Sequence, residues 1–263
     1  MIDEFSEVSM GKIVAVANQK GGVGKTTTAV NLSSCVAALG KKVLVADIDP
    51  QGNTTGGLGV DADKLNGTVY DVLVNGVNIK EAISPAPYFS MHILGSDISL
   101  AGAEIELVSV EKREFLLKQA LESVRDESDF IFIDCPPSLG LITLNGLVAA
   151  DTVLVPIQCE YYALEGVAQL TNTMNLVKKA FNPNLAVEGV VMTMFDGRTN
   201  LSIQVVEEVK KYFGKKVYRT LIPRNVRLSE APSFGEPIIV FDKTATGAAA
   251  YDNLAKEFLE KNK

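Results

Sequence analysis

One histidine, three cysteines and no apolar run near the length of a bilayer are what this 263-residue sequence is short of. A lone His92 excludes multi-histidine metal centres and would leave a serine or cysteine hydrolase dependent on that single imidazole. It sits in a Met-His-Ile-Leu strand and reads as structural. Cys35, Cys135 and Cys159 have no CxxC spacing and lie in apolar-rich segments, which predicts reduced, buried thiols rather than a disulfide framework. Crossing a membrane takes roughly 20 apolar residues, and the opening Met1-Ile2-Asp3-Glu4-Phe5-Ser6-Glu7 is acidic where a signal peptide is basic. A cytosolic protein is expected. What is present is an ordinary globular composition, 47% hydrophobic and 22% charged, with 25 Lys+Arg against 32 Asp+Glu for a net charge of −7.

Strand-like and helix-like segments alternate along the chain. Residues 12–17, 43–47, 130–134, 152–156 and 187–193 are short apolar runs without in/out alternation, the pattern of strands covered on both faces. Helices are predicted near 26–39, where Gly40 supplies a stop, and near 111–124, 140–150, 161–180, 199–213 and 245–261. Strand, helix, strand in repetition implies a single doubly wound α/β domain with a mainly parallel sheet and helices on both faces. Ligands then belong at the carboxyl ends of the strands.

The strongest local signal is Gln19-Lys20-Gly21-Gly22-Val23-Gly24-Lys25-Thr26-Thr27, directly after a strand and opening a helix. Glycines let successive N–H groups turn inward as an anion nest, and the helix N-terminus adds positive potential. In such a phosphate loop Lys25 reaches the β- and γ-phosphates and the Thr26 hydroxyl ligates Mg²⁺. The loop departs from GxxxxGK[ST] by Gln19 in place of the first glycine and by the extra Lys20. Asp134 closes the apolar run Phe130–Asp134 as the acid that holds Mg²⁺ through water. Asp49, in Asp47-Ile48-Asp49-Pro50-Gln51-Gly52-Asn53, is the candidate for positioning the attacking water, with Asn53 assisting, and counts as a metal-site candidate beside Thr26 and Asp134. Cys135 stands where fast ATPases often place a glutamate, so hydrolysis should be slow without a partner. No [NT]KxD guanine reader occurs, which favours adenine.

The phosphate loop, Asp49–Asn53, Asp134-Cys135-Pro136-Pro137-Ser138, the segment Gln158–Gly166 and Ile222-Pro223-Arg224-Asn225-Val226-Arg227 together resemble the ParA/Soj chromosome-partitioning ATPases from about Met10 onward. The resemblance implies an ATP- and Mg²⁺-dependent sandwich homodimer, with Lys20 reaching the other subunit's nucleotide and close backbone approach at Gly21. It implies double-stranded DNA binding without sequence preference, hydrolysis stimulated by a ParB-type centromere-bound partner, and a cytoplasmic, nucleoid-associated protein. By the same resemblance Pro223 and Asn225 lie against the adenine, and Arg198 and Arg227 contact DNA. Residues 1–9 fall outside it and are expected to be a flexible extension.

A net charge of −7 is at odds with a nucleic-acid partner unless positive charge is concentrated locally. Residues 196–230 carry eight basic and four acidic side chains, +4 against −11 elsewhere. The lysine pairs 210–211 and 215–216 are also what a helix C-terminus favours in solvent. A rival reading is a membrane-surface ATPase like the division-site protein MinD, which shares the deviant loop. It needs a C-terminal amphipathic anchor. Here Tyr251, Leu254, Ala255, Phe258 and Leu259 form an apolar stripe, but the polar face lacks a basic bias, so the helix is expected to lie on the core. An iron–sulfur reductase relative would need paired, exposed, glycine-flanked cysteines that the sequence lacks.

Overall fold

Eight strands make one sheet in the computed structural model, which describes residues 10–160 and 163–263. They are β1 (Lys12–Val16), β2 (Val43–Asp47), β3 (Ser84–Pro85), β4 (Met91–Leu94), β5 (Phe130–Asp134), β6 (Thr152–Gln158), β7 (Ala186–Phe195) and β8 (Val217–Pro223). Their spatial order is β3-β4-β2-β5-β1-β6-β7-β8, all parallel except the two-residue β3, which runs antiparallel to β4. Residues 1–9, the expected extension, and Tyr161-Tyr162 of the Gln158–Gly166 segment lie outside the described residues, and the side chains of 163–168 are not described either.

Each central strand is buried on both faces, which is why its sequence shows no alternation. Along β1, Ile13 and Ala15 join one core, with the helices Leu116–Glu122, Leu141–Ala149, Ala163–Ala180 and Asn200–Phe213. Val14 and Val16 join the other, with the helices Lys25–Ala38 and Thr246–Lys261. The helix after the phosphate loop stops where Gly40 adopts φ 88°, a left-handed value that costs a Cβ-bearing residue energy. Tyr251, Leu254, Ala255 and Phe258 are all buried, so the apolar stripe of the last helix is spent on the core, as expected. That helix also guards the sheet edge. Buried Glu257 accepts from the backbone N–H groups of Arg219 and Thr220 on β8 at 2.8 and 3.0 Å.

The predicted strands are where the sequence puts them, within one or two residues, and so are the predicted helices except that expected over 111–124, which is cut to Leu116–Glu122 behind a 3₁₀ turn at Arg113–Phe115, because Lys112 takes a left-handed φ of 55°. Two strands are additions. β3 is too short to leave a pattern, and β8 carries Arg219 and Thr220 at the sheet's edge instead of a continuous apolar run. Between residues 53 and 106 the chain makes short helices that the hydrophobic periodicity did not single out.

Candidate nucleotide site

The carboxyl ends of β1, β2 and β5 meet because these strands are direct neighbours, and the candidate residues arrive with them. After β1 the chain turns through Gly22 at φ 73° and Gly24 at φ 87°, both left-handed, and Gly24 opens the helix without a side-chain cap. The first N–H groups of that helix are therefore free for an anion. Thr193 at the end of β7 braces the turn, its hydroxyl donating to the Val23 carbonyl at 2.8 Å. Buried Lys25 folds its ammonium back on the loop, donating to the Lys20 carbonyl at 3.2 Å. Burial lowers the Lys25 pKa, while the negative charge of Asp134 works to raise it. The Lys20 ammonium lies on the chain's own Glu160 at 3.3 Å, and the Lys20 side chain is a third exposed, at 33%. Among the described residues a Cβ at Gly21 would meet nothing within 4 Å, and the φ of Gly21 is not left-handed.

Asp134 is fully buried. Its Oδ2 accepts from the Thr26 hydroxyl at 2.8 Å and from the Thr54 hydroxyl at 2.7 Å, while Oδ1 has no hydrogen-bond partner among the described residues. Across the β2–β5 ladder its direct neighbour is Asp47, also buried. Burial raises both pKa values, and the repulsion between these neighbouring carboxylates adds to the rise in Asp134. A buried carboxylate oxygen without a donor, next to a hydroxyl, fits a hard cation that takes oxygen ligands. Among the described residues no three carboxylate, imidazole or thiol groups gather into a cage. Mg²⁺, which keeps waters and phosphate oxygens in its shell, asks for no more than one or two carboxylates. Thr26 and Asp134 are thus brought together. Asp49 is half-buried two residues beyond Asp47 in a tight turn, its Oδ1 accepting from Gln51 N–H at 3.0 Å and its carbonyl from Gly52 N–H at 2.9 Å.

Two hollows flank the loop helix. One, about 310 Å³, is bounded by Thr26, Thr27, Gly52 and Asn53, so Asn53 does face the phosphate-loop helix. The other, about 330 Å³, is bounded by Gly24, Thr27, Met194, Pro223 and Asn225, which puts Pro223 and Asn225 beside the loop. Met194 enters that hollow with φ 52°, an unusual conformation for a methionine. Arg198 and Arg227 are both exposed at the same edge of the sheet, following β7 and β8. Each is ion-paired: Arg198 forks onto Asp196 at 2.9 and 2.7 Å, and Arg227 meets Glu230 at 2.8 Å and Asp242 at 3.1 Å. The Arg198 hydrogen bonds pull the Asp196 carboxyl down to about 2. The basic stretch is not one patch, however. Lys210, Lys211, Lys215 and Lys216 precede β8 and lie at the amino ends of the parallel strands, the length of β8 away from Arg224 and Arg227.

Sequence reasoning missed Thr54, Thr55, Thr193 and Glu160. The two tandem threonines follow Asn53 in plain view, but which acids they reach depends on β2 lying beside β5.

A family model described as an AAA domain matches residues 11–187. The chromosome partitioning protein ParA of Myxococcus xanthus is 50% identical over 254 residues, covering 97% of this chain and 90% of that one. The sporulation initiation inhibitor protein Soj of Bacillus subtilis is 58% identical over 248 residues, 94% of this chain and 98% of that one. The chain belongs to the ParA/Soj chromosome-partitioning ATPases. Among solved structures, cobyrinic acid a,c-diamide synthase from Mycobacterium smegmatis with bound ATP analogue and magnesium is similar. It shows 39% identity, a TM-score of 0.82 and 95% coverage of each chain.

Proposed function

We propose that this ParA/Soj-family ATPase binds ATP with Mg²⁺ at the carboxyl edge of the sheet and thereby closes into a face-to-face homodimer. The dimer holds double-stranded DNA without sequence preference, and hydrolysis stimulated by a ParB-type centromere-bound partner releases it at the nucleoid. The observation that carries the reading is the convergence of Lys25, Thr26, Asp49 and Asp134 on one edge, with a buried carboxylate oxygen left without a donor.

In this reading the nest from Gly21 to Thr27 (Gly21, Gly22, Val23, Gly24, Lys25, Thr26, Thr27) holds the phosphates, and Lys25 swings from the Lys20 carbonyl to the β- and γ-oxygens. Thr26 and Asp134 would hold Mg²⁺, which neutralises charge on the phosphates when bound. Asp49 orients the attacking water, and Pro223 and Asn225 border the adenine. Lys20 leaves Glu160 and crosses to the partner's nucleotide. Gly21, where a Cβ would meet nothing within 4 Å among the described residues, is where the second molecule's backbone comes close. Arg198 and Arg227 contact DNA phosphates; their ion pairs are exposed, and such pairs are weak enough for phosphates to compete. The membrane-surface alternative finds no support in a C-terminal helix whose apolar side chains are buried.

The test is an ATP-dependent gel shift on non-specific DNA with Asp49→Ala. The variant should stay bound after ATP addition while its phosphate release falls about 100-fold, the size expected from losing a positioning group at the reacting centre. Turnover at the parent rate would mean that another group handles the water.

A further inference from the structure

Thr54 and Thr55 sit side by side at the start of the five-residue helix Asn53–Gly57, and each reaches a different buried carboxylate. The Thr54 hydroxyl donates to Asp134 Oδ2 at 2.7 Å. The Thr55 N–H and hydroxyl both donate to Asp47 Oδ2 at 2.8 Å, while Asp47 Oδ1 takes the N–H of Asp49 at 3.2 Å. Asp47 and Asp134 are themselves direct neighbours across β2 and β5. All four side chains are buried.

We infer that Thr54 and Thr55 are positioning residues that clamp the turn bearing Asp49 to the ends of two adjacent strands. The helix cannot hold itself. It is one turn long, contains Gly56 and Gly57, and its N-cap is Gly52, with no side-chain cap. What fixes it is the pair of hydroxyls. From the far side, the Ser96 N–H donates to the Thr55 hydroxyl at 3.0 Å, and a Cβ at Gly52 would lie 2.9 Å from the Ser96 carbonyl. The turn from Asp49 to Thr55 is therefore held at both ends and pressed from outside.

Asp134 Oδ2 gives the clamp its meaning, because Thr26 of the phosphate-loop helix donates to the same oxygen at 2.8 Å. Two elements, one that grips phosphate and one that carries the water-positioning acid, are aligned to a single atom. Their spacing is set before nucleotide arrives, and a preorganised site has no reorganisation left to do during reaction. This role rests on the proposed ATPase function, but the ordering of the turn does not.

Thr54→Val removes the hydroxyl at nearly constant shape, and Thr54→Ser keeps it. In nucleotide-free protein, amide hydrogen exchange over residues 49–57 should be about tenfold faster in the valine variant, with parent-like rates in the serine variant. In the ATPase assay kcat should fall about tenfold with KM for ATP within about twofold, and serine should restore it. Thr54→Ala serves in the same assays should the valine variant not fold. Unchanged exchange over 49–57 would overturn the clamp, as would a loss confined to KM. A parent protein with no ATPase activity would instead sink the proposed function, leaving exchange to decide the clamp alone.

Discussion

The two ends of the parallel sheet make an instructive pair. At the carboxyl end Lys25, Asp47 and Asp134 are buried, are tied by hydrogen bonds to named neighbours, and leave one carboxylate oxygen without a donor among the described residues. At the amino end beside β8, Lys210, Lys211, Lys215 and Lys216 are exposed, and the single ion pair among them in the described residues is Lys211 with Glu208 at 2.6 Å. A helix C-terminus accounts for such lysines without any ligand. Seven residues of strand, at about 3.3 Å each, separate the two sets. A charge count over residues 196–230 takes these lysines together with Arg224 and Arg227, whereas the fold puts the two arginines beyond the carboxyl end of β8 and the lysines at the opposite rim. Burial that costs free energy, more than the number of charges, sets the carboxyl end apart.

This contrast can be broken at several points. The largest effect expected is from Lys25→Ala. Charge-assisted hydrogen bonds are worth roughly 1.5–3 kcal/mol, so losing those to the phosphates should weaken ATP binding about 100-fold or more and abolish ATP-dependent dimerisation. Light scattering with and without ATP measures it. Next, Arg227→Ala should weaken DNA binding about tenfold at fixed salt and lower the salt slope by about 1, while dimerisation persists. The double variant Lys215→Ala/Lys216→Ala should change affinity by less than about twofold. A larger loss from the lysines than from Arg227 would reverse the comparison.

The smallest effect is on stability. A carboxyl whose pKa rises on folding stabilises the fold at low pH and loses that contribution as pH climbs through the raised value. Asp134→Asn should therefore stabilise the nucleotide-free protein by about 1 kcal/mol near pH 8. The advantage should shrink toward zero at about pH 3 and below, under the ordinary Asp value of 3.8, where the parent carboxyl is protonated in both states. Thermal unfolding across that range measures it, and an advantage that grows on acidification would show that the buried acid is not the source.

Much of this was legible in the residues themselves. A glycine-rich turn with Lys25-Thr26 needs a particular backbone and little else, so its geometry travels with its sequence. Asp134 was legible for a similar reason, an acid at the end of an unbroken apolar strand. The threonine bonds were not, because a hydroxyl has several possible acceptors and only strand order selects one. Nor was the division of the basic stretch, since recognising it requires β8, whose mixed polar and apolar residues hide an edge strand.

The sheet's margins carry a last consequence. One side ends in a two-residue stub containing Pro85, which has no N–H to offer, and the other has two of its donors occupied by Glu257. Neither rim invites a stray strand to add on, so even crowded copies are guarded against the ribbon-like stacking that open sheets risk. Encounters between molecules are thereby channelled away from backbone pairing and toward side-chain contacts.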